Sequence, residues 1–180
     1  MISIILGSIV GFRMEDGYVS TQPIVTQNPG ITMDFGSVFL SESRLFLTDP
    51  SYGVSILELE ESLEFTEIVH TVVQSQKAIC WAELDPSLGT VYGNDAGKGR
   101  IFKFNAETGA HEGSIFVTGD GDPDNAGVFD SAVDLGRSTM YALVGGNGVV
   151  TVDLKNSKQV EFLDLSSFGN RVGYTGMALY

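Results

Sequence analysis

Four segments of the chain repeat one pattern: two adjacent apolar residues, a spacer, another apolar residue and a polar turn. They read GSIVGFRMEDG, GVSILELEESL, GRIFKFNAETG and GVVTVDLKNSK. Phe12, Leu59, Phe104 and Val152 hold equivalent places, 47, 45 and 48 residues apart. A period of this length marks a repeat architecture, in which each unit buries its apolar surface only against its neighbour. A second extended run follows each turn: YVSTQPIV, LEFTEIVHTVV, AHEGSIFV and QVEFLDL. β-branched and aromatic residues on both sides of Gly, Asn, Asp and Glu turns read as β-hairpins.

Three further pairs lie between the hairpins: ITMDFGSVFLSES with RLFLTDPSYG, KAICWAELDPSLG with TVYGNDAGKG, and GVFDSAVDLGR with STMYALVGGNG. One unit is therefore four strands in a repeat of roughly 40–50 residues, which predicts an all-β fold of four-stranded antiparallel propeller blades. No segment sustains a helical period, so an alternating βαβ fold is excluded. A single domain over residues 1–180 is expected, with blades at about 1–30 plus 173–180, 31–75, 76–119 and 126–168. By phase, residues 1–6 stand where a blade's second strand belongs, and GYTGMALY (173–180) where a first strand belongs. Pairing of the two would close a ring of about four blades. The same phase fits half of a larger, seven-bladed ring, which leaves a homodimer of unclosed halves as an expected assembly.

The opening apolar run, MISIILGSIV, is too short for a membrane helix, which needs about 20 residues. It has no basic n-region and no clear cleavage site, so it reads as a strand rather than a leader. Ten basic against twenty-three acidic residues give a net charge of −13. This argues against nucleic acid and anionic membranes as partners. The lone cysteine, Cys80, excludes an internal disulfide, and its setting AICWA suits a buried structural thiol.

At TDPSYG (48–53), QKAICWAELDP (76–86), TVYGNDAG (90–97) and GYTGMALY the chain resembles a known group. It is similar to the C-terminal half of fungal 3-carboxymuconate cyclase-like proteins, of the lactonase-type β-propeller superfamily. That resemblance implies a seven-bladed ring, often in a secreted setting, and cofactor-independent chemistry on lactones, muconates or natural-product intermediates. Relatives with known lactone chemistry use His, Arg and Glu at the channel mouth. Here His70 and His111 fall in outer-hairpin patterns and read as surface or edge residues.

In a propeller the loops joining strands 4 to 1 and 2 to 3 share one mouth of the axial channel. This gathers Gln76, Lys77, Asp124, Asn125, Arg171 and Tyr174 from the first kind of loop. The second kind supplies Asp49, Tyr52, Asn94, Asp95, Lys98 and Asn147. Lys77 and Arg171 suit the stabilisation of a carboxylate, enolate or oxyanion. Asp49 and Asp95 suit a general base, or else an ordinary turn in which the carboxylate accepts backbone amides. Tyr52, Gln76, Trp81, Asn94, Phe129 and Tyr174 complete the expected ligand-binding set. The loop GDGDPDNAG (119–127) begins like a calcium loop but has no closing glutamate, so an ordinary acidic turn with no metal is expected, with a weak calcium site as the alternative. The leading expectation is a small organic ligand at the mouth, with isomerase, lyase, cyclase or lactone-hydrolase chemistry and no cofactor. The rivals are a non-catalytic interaction scaffold and a truncated propeller without activity of its own.

Overall fold

The computed structural model describes residues 2–5, 7–27, 30–119, 127–145, 148–169 and 176–179. Among these, four antiparallel sheets follow one another along the chain. The first holds β1 (Ile2–Ile5), β2 (Ser8–Glu15) and β3 (Tyr18–Gln27). The second holds β4 (Ser37–Phe39), β5 (Arg44–Asp49), β6 (Gly53–Leu59) and β7 (Phe65–Val72). The third is β8 (Ile79–Asp85), β9 (Thr90–Asp95), β10 (Arg100–Asn105) and β11 (His111–Phe116). The fourth is β12 (Val128–Asp134), β13 (Thr139–Val144), β14 (Gly148–Asp153) and β15 (Lys158–Asp164). Each is a meander in chain order, so the architecture is the β-propeller that the repeat predicts, in about four blades.

The turns form where the sequence places Asx and Gly residues. β2 and β3 are joined by Asp16 and Gly17 at φ 51° and 82°, the two-residue turn whose twist matches that of a hairpin. Elsewhere a strand's last residue folds its side chain over the turn. Asp85 Oδ1 accepts the N–H of Ser87 and Leu88. Asn105 Oδ1 accepts those of Glu107 and Thr108, and Asp153 Oδ1 that of Asn156.

Three apolar clusters lie between successive sheets. Ile9 of the first sheet packs with Leu45, Leu47, Leu57 and Phe65 of the second. Phe46 and Ile56 of the second meet Ile79, Val91, Phe102 and Phe104 of the third. Tyr92, Ile101 and Ile115 of the third meet Val128, Met140, Val150 and Val152 of the fourth. Among the described residues, no cluster spans the fourth and first sheets. Residues 173–175 and 180 of the expected closing strand lie outside the described residues. Residues 176–179 are not in a strand, and the Met177 N–H is bonded to Asp130 Oδ2 on β12 at 2.8 Å.

Polar contacts at the ends of β5 and β9 fix how the second, third and fourth sheets meet. Asp49 and Asp95 are fully buried at equivalent ends of β5 and β9. Asp49 Oδ2 accepts the N–H of Thr32 and Met33, both at 2.8 Å. Asp95 accepts the N–H of Lys77 and Ala78, at 2.8 and 2.9 Å. Each carboxylate thus holds the loop that leads into its own sheet's first strand. The preceding residue reaches forward instead. The Thr48 hydroxyl donates to the Cys80 carbonyl of the third sheet, and Asn94 Nδ2 donates to Ser131 Oγ of the fourth at 2.8 Å. Glycine permits the close approach: a Cβ on Gly127 would lie 1.9 Å from the Ala96 carbonyl oxygen.

Replacing Asp95 by Ala leaves the part-buried amides of Lys77, Ala78 and Gly97 without their acceptor, at roughly 1–3 kcal/mol per orphaned group. Urea unfolding of Asp95→Ala is expected to show a loss of about 3 kcal/mol. A Gly127→Ala chain is expected to unfold more easily as well, since backbone atoms must move to admit the methyl group.

Candidate functional site

The first strands β4, β8 and β12 lie side by side at the inner edge of the sheets. They carry a row of aromatic rings from three successive blades. Phe35, just before β4, meets Trp81 of β8 edge-on at 5.0 Å between ring centres. Trp81 meets Phe129 of β12 in the same way at 5.9 Å. Edge-to-face contacts at this spacing hold the rings rigidly, while Phe35 remains 53% exposed and Trp81 half-buried.

Glu83 lies two residues beyond Trp81 on the same face of β8 and is half-buried. Burial, with a smaller contribution from the Asp130 carboxylate on β12, pushes its pKa up to about 7. Both effects penalise the second negative charge. Asp130 is held by the N–H of Ser131 at 2.9 Å and of Met177 at 2.8 Å. A carboxyl group poised near neutrality beside an aromatic wall can give or take a proton at physiological pH. Behind it, Asn94 opposes Trp81 in the β8–β9 ladder. Its Oδ1 is buried and has no hydrogen-bond partner in the protein.

The structure distributes the expected site residues among several roles. Asp49 and Asp95 face their own loops, as described above, with their oxygens occupied by backbone amides. Gln76 bridges two blades, its Nε2 donating to the Pro50 carbonyl and its Oε1 accepting the Ile79 N–H. The Lys77 backbone is fixed by Asp95, and its exposed side chain lies over Gly97. Among the described residues the Lys77 ammonium makes no ion pair. Lys98 Nζ is turned to the Ser75 carbonyl at 3.3 Å.

Tyr52 belongs to a separate cluster within the second sheet. Its hydroxyl bonds to Ser55, Ser55 donates to Glu67, and Glu67 pairs with His70 Nδ1 at 2.9 Å. The Tyr52 ring stacks on His70, and burial raises the phenol pKa above its ordinary value. His111 is exposed and lies against Phe102 and Phe104. Arg171, Tyr174, Asp124, Asn125 and Asn147 lie outside the described residues. The Cys80 thiol is pushed up to about 11 by burial and by Asp95, so it stays protonated and inert at neutral pH. Among the described residues no cluster of three His, Cys, Asp or Glu side chains is placed to hold a metal ion. No described helix is long and apolar enough to cross a membrane.

No family model matches the sequence, and no curated protein matches it. Solved structures do match the fold. The WD40 domain of Toxoplasma gondii coronin aligns with a TM-score of 0.71 at 17% identity, over 88% of this chain and 40% of that one. The RRP9 WD40 repeats align at 0.59 and 14%, over 73% and 38%. Apo AztD from Citrobacter koseri aligns at 0.56 and 12%, over 92% and 46%. At such identities the likeness shows a β-propeller fold and nothing finer. The chain spans less than half the length of each of these structures.

The raised pKa of Glu83 sets the sign of a pH effect. Between the ordinary carboxyl value of 4.5 and about 7, the folded chain binds the proton more tightly than the unfolded one. Glu83 therefore lowers stability as pH rises through that window. Melting temperatures of the wild type and Glu83→Gln, measured from pH 4.5 to 8, are expected to diverge upward, the variant losing less. Parallel curves would show that Glu83 titrates normally.

Proposed function

We propose that this chain is a small-molecule-binding β-propeller element whose ligand sits against the Phe35–Trp81–Phe129 row beside Glu83. The observation that carries this reading is a near-neutral carboxyl group next to a rigid aromatic wall. Three successive blades build it, and the bundled first strands of those blades would line the propeller axis. The ligand class that fits is a lactone, an unsaturated acid or a related natural-product intermediate, bound through its flat carbon skeleton. Lys77, an exposed cation at the strand-4-to-1 loop, would pair with a carboxylate or developing oxyanion, with Arg171 in the same role. Glu83 would move a proton to or from carbon or oxygen, which is isomerase, lyase or cyclase chemistry without a redox cofactor. This assigns proton transfer to Glu83 and leaves Asp49 and Asp95 as the supports of the mouth.

Trp81 is the only tryptophan in the sequence, so its fluorescence reports directly on the proposed site. Titration with muconate and with small lactones is expected to change its emission saturably. Lys77→Ala should weaken muconate binding about tenfold, and Glu83→Gln should retain binding while abolishing ligand conversion. No saturable response from the folded chain to any of these compounds overturns the reading.

An interaction scaffold is the second reading, favoured by apolar side chains on and just after the last strand. Val160 and Leu163 of β15 and Phe168, in the short 3-10 turn that follows, are 59%, 58% and 78% exposed. The same surface would seat a second copy of the chain, as expected of an unclosed half ring. Light scattering on wild type and Leu163→Lys tests this, because a dimer formed through that face dissociates in the variant.

A further inference from the structure

The first and second sheets part around an open cavity of about 240 Å³, lined by Phe12, Ile24, Leu59, Leu63 and Phe65. It lies beside the β6–β7 turn. In an antiparallel meander that turn is at the opposite end of the sheet from the β5–β6 turn and the axial mouth. Arg13 stands at its edge and also borders an adjoining polar hollow with Ser20, Gln22, Ser62 and Glu15.

Two local features shape this place. Phe12 pairs with Pro23 and Met14 with Val19, so Arg13 alone opposes the three residues Ser20, Thr21 and Gln22. Such a bulge opens the ladder and re-aims a side chain. On the other wall, Leu63 is held at φ 68°, a conformation that branched side chains disfavour. Its N–H bonds to the Glu60 carbonyl and the Glu60 N–H to the Glu64 carbonyl, which keeps the leucine at the cavity wall.

The arginines separate clearly. Arg44 pairs with Glu58, Arg137 pairs with Asp134, and Arg100 bonds to Ser75 and lies over Phe116. Arg13 alone among the described arginines has no hydrogen bond or ion pair. A guanidinium over an apolar well is built to take a carboxylate head with a hydrocarbon tail.

We propose that this inter-blade cavity binds a small organic monocarboxylate, its head on Arg13 and its apolar tail between the two sheets. The cavity is worth about eight water volumes, which suits a tail of about six to eight carbons. Glu15 beside the head position favours a single negative charge over a dianion. The net charge of −13 opposes long-range attraction of any anion, so tail burial and the short-range Arg13 contact must supply the affinity.

Calorimetry on the full chain with butanoate, hexanoate, octanoate and octanol tests this. Binding is expected to tighten about fourfold per added methylene until the well is full. Arg13→Ala should weaken octanoate at least tenfold and leave octanol within twofold. A Cβ added at Gly11, a lining residue, would meet only the Ile24 carbonyl oxygen, at 3.9 Å, so a side chain can start there toward the well. Gly11→Leu should therefore fill the well and remove binding of both probes without lowering the melting temperature. Failure of the folded wild type to bind octanoate at millimolar concentration overturns the proposal. So does octanoate binding that survives both variants, or that is lost in Lys77→Ala, which would place the probe at the axial mouth.

Discussion

A twisted four-stranded sheet has two apolar faces, and here only another sheet is available to cover them. Every other feature of the molecule follows from that requirement. Phe46, Phe102 and Phe104 are completely buried because β5 and β6 of the second sheet and β8, β9 and β10 of the third supply their walls. The polar contacts then choose one geometry among the many that apolar packing would tolerate. Thr48 and Asn94 each reach across to the next blade's first strand, and Asp49 and Asp95 hold the loops that deliver the first strands of their own blades. The aromatic row on the inner edge is a by-product of the same stacking. Phe35, Trp81 and Phe129 touch because their strands are locked side by side.

The sheets are legible in the sequence because the repeat is carried by apolar spacing, and apolar spacing is what the interfaces need. Turn chemistry is equally plain: MEDGY, LDPSLG and FNAETG each specify a hairpin through local hydrogen bonds. The candidate site is harder to see. Asp49 and Asp95 look alike as turn formers and as bases, and only the positions of the Thr32, Met33, Lys77 and Ala78 amides decide how their oxygens are used. Glu83 carries no motif at all. Its altered acidity comes from burial and from Asp130 in another blade, and neither is encoded near position 83. A glutamate interrupting an otherwise apolar first strand, in a place where the other blades have Val38 and Ala132, is the one signal that could have marked it.

The two proposed sites use opposite electrostatics within one acidic molecule. At the axis, burial and, to a smaller extent, one neighbouring carboxylate raise a proton affinity and leave a group that is neutral part of the time. At the rim, a single unpaired guanidinium sits over hydrocarbon, with little company of its own sign. The axial site rests mainly on β8 and β12 of the third and fourth sheets and the rim cavity lies between the first and second, so neither field has to compromise with the other.

The chain-order stacking of the sheets also has a consequence for synthesis. Each interface joins segments that leave the ribosome one after the other, and no described interface waits for a distant partner. The first two sheets can settle as soon as residue 72 is free, and each later blade adds to a surface already formed. Folding can therefore keep pace with translation, each new sheet covering the face left open by the one before it.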